Sequence, residues 1–202
     1  MNETEARAAL RARQGAGARY DASAAPAQSL ELARRGTAYF ARLVNNLDDA
    51  ALYGPSRIEG KNRRWFIASI GLQARMFAES VGWARSAEST KVLPFPLAVD
   101  TPEIELAATL PTQALRNLFA HSEVHLNVEW RDLTDDQWQR VVRDAIGTTM
   151  TMMETPMLRA AALWRTAIDL DAGGRLADLP AAFRNTTTDI DLTRDNNEKA
   201  AR

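Results

Sequence analysis

The sequence predicts an all-α protein, a four-helix bundle in which a long crossover joins the second and third helices. Apolar residues recur at helical spacing in four segments: 30–47, 62–86, 112–131 and 156–171. Turn-forming residues separate these segments, and the stretch 87–111 is too long for a tight turn between neighbouring helices. Four amphipathic helices with one long connection are typical of a bundle whose binding sites lie between facing helices.

The first helix is expected to begin near residue 30, with Ser29 as its N-cap, and to end at a turn that starts at Asp48. The preceding segment, 1–28, is rich in Ala, Arg and Gly and is interpreted as an N-terminal extension outside the core, helical around 4–13. The inward face of the first helix carries residues at helical spacing: Leu32, Gly36, Phe40, Leu43 and Leu47.

The second helix is predicted over 62–86, and a short helix that starts at Thr101 and Pro102 follows the extended connection 93–97. The apolar face of the second helix is wide enough for a helix in the middle of a bundle. Its predicted inward stripe is Trp65, Ser69, Leu72, Met76 and Trp83, flanked by Phe66, Ile70, Phe77 and Val81.

The third helix is predicted over 112–131, and the residues from Thr134 to Gln137 form a capping box for one further turn. The segment 141–152 is expected to form a small β-hairpin around a turn at 144–147. The inward residues of the third helix are Leu115, Phe119, Leu126 and Trp130.

The fourth helix is predicted over 156–171 and ends at Gly173 and Gly174. Beyond Phe183 the Thr- and Asn-rich tail has no apolar periodicity and is expected to be disordered. The chain is therefore divided into an N-terminal extension (1–28), a helical bundle (29–184) and a flexible tail (185–202).

The composition excludes several classes of function. A net charge of −1 provides no field that favours nucleic acid or an acidic membrane. The absence of cysteine excludes disulfides, thiolate metal sites and thiol nucleophiles. No apolar run reaches the roughly 20 residues of a membrane span, and the N-terminus lacks the apolar centre of a secretory signal. We therefore expect a cytoplasmic protein without nucleic-acid or membrane partners.

The fourth helix carries a pattern that resembles a known family. Arg159, Trp164, Asp169 and Leu170 match the last bundle helix of the mycothiol-dependent maleylpyruvate isomerases, a DinB-like family, which reads Arg-x-Arg-Glu-Val-Trp-x-His-x-x-Asp-Leu. The resemblance implies a DinB-like four-helix bundle. Further matches to the family lie along the chain at 35–40, 47–49, 55–56 and 175–180.

The resemblance fails where the family binds its metal. In the family, a His of the second helix and the Glu and His of the last helix bind a divalent metal, and these positions fall on Ser69, Ala162 and Thr166. Alanine has no donor atom, and a neutral hydroxyl is a poor ligand. The resemblance thus implies a divergent member that lacks the metal ligands, with neither a metal nor another cofactor. The Ala- and Arg-rich composition is compatible with an actinobacterial origin.

Two acidic residues are candidates for catalysis. When the fourth helix is aligned with the family, Asp169 falls on its inward face. An inward carboxylate beside apolar walls tends toward a raised pKa, which suits general acid/base chemistry. A buried structural pair between Asp169 and Arg159 would look the same in the sequence, so both interpretations stand. Asp100 is the second candidate, in a loop that is expected to border the mouth of the bundle. Asp48 and Asp49 lie in a similar loop, where the usual role is helix termination.

Five residues are candidates for substrate binding. Ser69 and Thr166 either hydrogen-bond a substrate or fill the former metal site with small side chains. Arg63 either holds an anionic group at the start of the second helix or is solvated. Trp65 either walls a ligand pocket or belongs to the core. Arg159 lies on the same helix as Thr166 and is a further binding candidate.

His121 and His125 lie four residues apart on the third helix, the spacing of a two-histidine metal clamp. Glu129 continues the row and would be a third ligand of a relocated metal site. The competing interpretation is a pair of histidines beside the apolar stripe, and it is favoured because Phe119 and Trp130 already fill the inward face.

The favoured function is a metal-independent family member that acts on a small specialised metabolite by isomerisation, elimination or cyclisation, and so belongs to secondary metabolism. Retention of Arg159, Trp164 and Asp169 favours this reading, because pure scaffolds often lose the wall of a pocket. The alternatives are a non-catalytic accessory subunit of an enzyme complex and a binding protein for a small metabolite. Both a homodimer and a heteromeric enzyme partner are compatible with the sequence.

Overall fold

The computed structural model describes Glu5 and residues 20–86, 102–143 and 149–184. The helices are α1 (Ala27–Asn45), α2 (Arg63–Ser86), α3 (Pro102–Ala108), α4 (Thr112–Arg131), α5 (Asp135–Trp138) and, after the antiparallel strands β1 (Val141–Arg143) and β2 (Thr149–Thr151), α6 (Thr155–Asp169). Short 3₁₀ turns cover Ala51–Tyr53, Met152–Glu154 and Leu176–Asp178. The predicted all-α class with one small hairpin is confirmed.

Contacts between the helices define the direction of each one. Gly71 of α2 lies against Leu118 of α4, and Arg85 near the end of α2 pairs with Glu129 near the end of α4, so these two helices are parallel. Two parallel neighbours require a connection that returns along the bundle, which is the crossover that the sequence predicted. Thr37 of α1 bonds Glu123 of α4, whereas Arg34 bonds Asn127 and Arg116 bonds the Val44 carbonyl, so α1 and α4 are antiparallel.

The buried side chains form two groups, one toward each end of the bundle. The start of α1 and the second half of α2 meet α4 and the hairpin at one end, through Leu30, Phe77, Val81, Trp130 and Trp138. The other group joins the end of α1 and the start of α2 to α4 and α6, through Phe40, Phe66, Ile70, Leu115 and Leu170.

Two sequence expectations need correction. The first helix begins at Ala27, with Pro26 at the N-cap position, so Ser29 lies inside the helix and caps nothing. Proline before the first turn is favoured because its φ is already close to helical. On α2, the predicted stripe residues Trp65, Leu72 and Trp83 are only half-buried. The flanking residues form most of the core face instead: Phe66, Ile67, Ile70, Ala74, Phe77 and Val81.

Other expectations are confirmed. The four predicted inward residues of α4 are all buried. The capping box has both of its hydrogen bonds, from the Gln137 amide to Thr134 Oγ1 at 3.4 Å and from the Thr134 amide to Gln137 Oε1 at 3.0 Å. The end of α6 needs correction, because the helix ends at Asp169 and not at 171, and the first left-handed residue after it is Asp171, with a φ of 52°, followed by Gly173, with a φ of 90°.

Several expectations lie outside the described residues: the remainder of the helix around 4–13, the connection 93–97, Thr101, the turn at 144–147 and the tail from 185 onward. Within the described part of the chain, none of the helices is long and apolar enough to cross a lipid bilayer.

Candidate functional site

Helices α2 and α6 run antiparallel, with a register held by two arginines. Near the start of α2, Arg63 Nε donates to the Leu170 carbonyl at the end of α6, at 3.2 Å. Two turns further along α2, the Ile70 carbonyl accepts a hydrogen bond from Arg159 Nη1 at 2.9 Å. The segment of α2 from Arg63 to Ile70 therefore lies beside the segment of α6 from Arg159 to Leu170, in the opposite direction.

Ser69, Ala162 and Thr166 fall between these two contacts, and all three are half-buried. Ala162 and Thr166 follow Arg159 by about one and two turns, on the side of α6 that faces α2. The register therefore puts Ser69 opposite the part of α6 that carries Ala162 and Thr166, and all three positions are half-buried. We define the α2–α6 strip as Trp65, Ser69 and Gln73 from α2 with Ala162, Thr166 and Asp169 from α6.

The donor atoms of the strip do not fit the divalent metal that the resemblance implies. Ser69 and Thr166 offer neutral hydroxyls, and Ala162 offers no donor, whereas stable sites for such metals use imidazole, carboxylate or thiolate groups. Within the described ranges, no cluster of three or more His, Asp or Glu side chains is arranged to hold a metal ion.

The histidines of α4 lie away from the strip. His121 and His125 are exposed. His125 Nε2 is 3.4 Å from Glu129 Oε1, but the Glu129 carboxylate is also paired with Arg85 of α2. An arginine that shares the intended third ligand disfavours a cation at this position, so the geometry supports the surface-pair interpretation.

The hydroxyls of the strip differ from other hydroxyls in the bundle. Ser80, Ser122 and Thr155 each donate to a backbone carbonyl of the preceding turn, at 2.6, 2.5 and 2.8 Å. This back-bonding is the common outcome for Ser and Thr in helices. Ser69 and Thr166 make no such bond, and their hydroxyls have no hydrogen-bond partner within the described residues. Both hydroxyls are therefore available to a ligand.

A buried ion pair between α4 and α6 lies behind the strip. Arg159 Nη2 contacts Glu123 Oε1, and both side chains are almost completely buried. Thr37 of α1 donates to the second Glu123 oxygen at 2.9 Å, and Arg159 Nη1 donates to Gln73 Oε1 of α2 at 2.6 Å. One polar cluster thus joins all four long helices. Burial lowers the pKa of Arg159 to about 9, which leaves the guanidinium charged at neutral pH.

Sequence reasoning missed Glu123 and Gln73. Glu123 lies four residues after Phe119 and three before Leu126, both of which were predicted inward, so its helical phase could have placed it inside. Gln73 lies four residues after Ser69, on the same face of α2. Their shared partner, Arg159, was predicted as a site residue and is the centre of the cluster.

Asp169 is placed at the C-terminal end of the strip. Its carboxylate is 3.7 Å from Arg165 Nε on the same helix, and its side chain is 19% exposed. Its backbone carbonyl accepts a hydrogen bond from the Arg57 amide at 2.9 Å. The alternative pairing with Arg159 is not observed, because Arg159 is engaged by Glu123.

The Arg63 side chain forms hydrogen bonds with backbone carbonyls of the fold. Its guanidinium donates to the carbonyls of Ala51 and Asp171 at 2.9 and 2.6 Å, in addition to Leu170. It therefore joins the first interhelical loop to the end of α6, and its donors point at carbonyls. Trp65 is half-buried, with the Lys61 ammonium 4.8 Å from its ring centroid.

The acidic loop candidates have separate positions. Asp48 Oδ1 accepts a hydrogen bond from the Ala51 amide at 2.7 Å, at the start of the 3₁₀ turn that follows α1, and Asp49 lies 3.6 Å from Arg116. Asp100 lies outside the described residues.

Residues that match the family away from the strip pack together. The ring of Tyr39 stacks on Trp164 with centroids 5.0 Å apart, and its hydroxyl donates to Asp178 at 2.7 Å. Asp178 also accepts from Arg175 at 2.9 Å, and these two hydrogen bonds lower the pKa of the Asp178 carboxyl. A Cβ at Gly36 would lie only 3.0 Å from the Trp164 indole nitrogen, so glycine allows this close approach.

Comparison with known proteins agrees with this arrangement. A family model described as the mycothiol maleylpyruvate isomerase N-terminal domain matches residues 33–171. The chain belongs to this family. Two crystal structures, of a mycothiol-dependent maleylpyruvate isomerase and of a histidine-to-alanine mutant of it, each share 32% identity with this chain at a TM-score of 0.70.

Each alignment covers 78% of this chain and 65% of the solved chain, so this member of the family spans less than two thirds of those proteins. No curated protein matched the chain. The matched region contains α1 from residue 33 onward and all of α2, α4 and α6, and therefore the whole α2–α6 strip.

Proposed function

We propose that the chain is a metal-independent member of the mycothiol maleylpyruvate isomerase family that acts on a small specialised metabolite. The proposed reaction is an isomerisation, elimination or cyclisation carried out by acid/base chemistry at the α2–α6 strip. The observation that supports the proposal is the strip itself: the half-buried hydroxyls of Ser69 and Thr166 have no hydrogen-bond partner among the described residues, a carboxylate follows on α6, and the described residues offer no cluster of metal ligands.

Each residue of the strip has a proposed role. Ser69 and Thr166 hydrogen-bond the substrate and orient it. Asp169 lies three residues after Thr166, so its carboxylate is on the same side of α6 and transfers a proton to or from the bound substrate. Trp65 and Ala162 supply apolar contact. Asp100 remains a second proton-transfer candidate, and we infer a cytoplasmic location and an actinobacterial origin as part of the same proposal.

Metal independence predicts that the purified chain binds zinc weakly and that three substitutions create a tight site. The variant Ser69→His, Ala162→Glu, Thr166→His places two imidazoles and a carboxylate at one level of the strip, a ligand set that suits zinc. Elemental analysis should find near-stoichiometric zinc in the triple variant and little in the parent protein, both purified without chelator.

The matched control changes the histidines of the α4 surface. His121→Ala with His125→Ala should leave the zinc content unchanged in both backgrounds. Near-stoichiometric zinc in the parent protein that disappears in this double variant would contradict the proposal and indicate a relocated site. A well-folded triple variant without zinc would contradict the register assigned to α2 and α6.

The acid/base step predicts that Asp169→Asn abolishes turnover. Parent protein, incubated with chelator in D₂O and an extract of small metabolites, should introduce deuterium into a carbon position of its substrate, detected by mass spectrometry. General acid/base catalysis contributes about 10²–10⁴-fold, so the variant should lose the signal. Asp171→Asn is the matched control, because Asp171 is exposed and has a φ of 52° that Asn tolerates.

Equal exchange by Asp169→Asn and by the parent protein would contradict the role of Asp169. If the parent protein binds a metabolite but exchanges no deuterium and forms no product, the chain is a binding protein. If it binds none and co-purifies with one enzyme, it is an accessory subunit. This choice between a binding protein and an accessory subunit is not decided by the exposed large apolar side chains of the described ranges. They lie on five different elements: Tyr53, Leu106, Val124, Val141 and Leu176.

A further inference from the structure

The amide of Gln73 has an orientation that its neighbour dictates. Arg159 Nη1 lies 2.6 Å from the terminal oxygen of Gln73. A guanidinium can only donate hydrogen bonds, so the atom that faces it must be the carboxamide oxygen and not the nitrogen. Rotation of the amide by 180° would bring two donors into contact. The NH₂ group of Gln73 is therefore directed away from the buried ion pair.

The outward NH₂ group has no hydrogen-bond partner among the residues that the structure describes. Gln73 is half-buried, and its amide nitrogen makes no hydrogen bond within the described part of the chain. The nitrogen is also not among the buried atoms that lack partners, so it reaches solvent. Arg159, which holds the oxygen, is itself fixed by Glu123 and by the Ile70 carbonyl. The result is a donor with a fixed direction at the edge of the strip.

We propose that Gln73 is a binding residue that donates its amide hydrogen to a carboxylate oxygen of the ligand, together with the hydroxyls of Ser69 and Thr166. This inference rests on the proposed function in one respect, because it concerns the same strip, and it adds the chemical class of the ligand. Arg159 and Glu123 act through Gln73 as positioning residues.

The chemistry of the three groups selects the ligand. A carboxamide NH₂ and two hydroxyls are neutral donors that together accommodate an oxygen with two or more lone pairs. The one buried charge behind them, on Arg159, is matched by Glu123, but hydrogen bonds to an ionised oxygen are stronger than those to a neutral one. Trp65 and Leu72 are partly buried apolar side chains of the same helix and are the proposed apolar contacts of the ligand. A small carboxylate with an apolar body therefore fits the strip.

The test uses benzoate as the probe and benzylamine as its counterpart of similar size, which has no acceptor when protonated. Titration of ¹⁵N-labelled full-length protein with benzoate should shift the side-chain NH₂ signal of Gln73, saturably and within the millimolar range. Benzylamine should not shift it. The signal is assigned by its disappearance in Gln73→Met, a substitution of similar volume that removes the amide.

Two variants measure the contribution of the donor. Gln73→Met and Gln73→Glu should each weaken benzoate binding about tenfold or more, because a hydrogen bond to a charged oxygen is lost. Gln73→Glu retains an oxygen that can accept the hydrogen bond from Arg159, so this variant is expected to fold. The matched control is Gln113→Glu on the exposed surface of α4, where the Gln113 amide donates to Asn117, and its benzoate affinity should equal that of the parent protein.

Absence of a Gln73 shift with benzoate, or equal benzoate affinity in the parent protein and Gln73→Met, would overturn the inference. The metal content of the same sample separates this failure from failure of the proposed function. A zinc-free protein without a Gln73 shift retains the metal-independent proposal and loses the role of Gln73. A zinc-containing protein whose benzoate affinity depends on Gln73 loses the metal-independent proposal and retains the role of Gln73.

Discussion

Glu123→Ala is expected to lower the free energy of unfolding by about 3–5 kcal/mol, because it leaves a buried guanidinium without its counter-ion. Arg159 is 0% exposed, so water cannot replace the lost carboxylate. The Thr37 hydroxyl loses its acceptor at the same time. Urea denaturation followed by circular dichroism measures the difference between the parent protein and the variant.

Two further variants identify the cause of that loss. Glu31→Ala removes an exposed carboxylate that lies 3.5 Å from Arg35 on α1, and its effect should stay within about 0.5 kcal/mol. The double variant Glu123→Leu, Arg159→Met removes both buried charges and should recover much of the stability, because apolar residues of similar volume often replace a buried pair without loss. A Glu123→Ala protein as stable as Glu31→Ala would show that the pair is not formed in solution.

Trp164→Ala is expected to cost about 3–5 kcal/mol, the range for removal of a large buried aromatic side chain. The indole stacks on Tyr39, and its nitrogen donates to the Leu32 carbonyl at 3.1 Å. Gly36 leaves no side chain to fill the space, so the cavity between α1 and α6 should persist. Thermal unfolding monitored by circular dichroism gives the change in Tm.

Trp164→Phe is the matched variant, because it retains an aromatic ring and loses the hydrogen bond to the Leu32 carbonyl. Its cost should be about 0.5–1.5 kcal/mol, the net contribution of one hydrogen bond, because the Leu32 carbonyl keeps its backbone bond within α1. Trp65→Ala on the half-buried strip should cost less than Trp164→Ala. Equal costs for Trp65→Ala and Trp164→Ala would contradict the assignment of Trp164 to the core.

Local features of the fold were predictable from the sequence because their causes are local. The 3.6-residue period of apolar residues located α4 at its observed bounds, and the capping box at Thr134 depends only on residues three positions apart. The ends of α1 were less predictable. Pro26 and Ser29 are both acceptable near a helix start, and contacts of the preceding segment with α5, such as Ser23 Oγ to Asp135 at 2.7 Å, join residues 112 positions apart.

The candidate site was predictable in part. The resemblance predicts that Ser69, Ala162 and Thr166 are neighbouring positions, and the antiparallel register of α2 and α6 puts Ser69 opposite the part of α6 that carries the other two. The expected inward stripe of α2 was displaced, because a helix that packs on both α4 and α6 buries a face whose centre depends on the position of both neighbours. Periodicity measures the width of such a face but not the direction in which the neighbours lie.

The sequence alone therefore determined the helical class, the four long helices and the family, since these follow from periodicity and from residue identities. The tertiary structure alone established the partners of the buried polar groups. Arg159 has an acidic residue on its own helix, Asp169, and another on α4, Glu123, and only the packing of the four helices places Glu123 within contact. The same packing turns the oxygen of Gln73 toward Arg159 and its NH₂ group away from the ion pair, because a donor and its acceptor meet only when their helices are fixed in space.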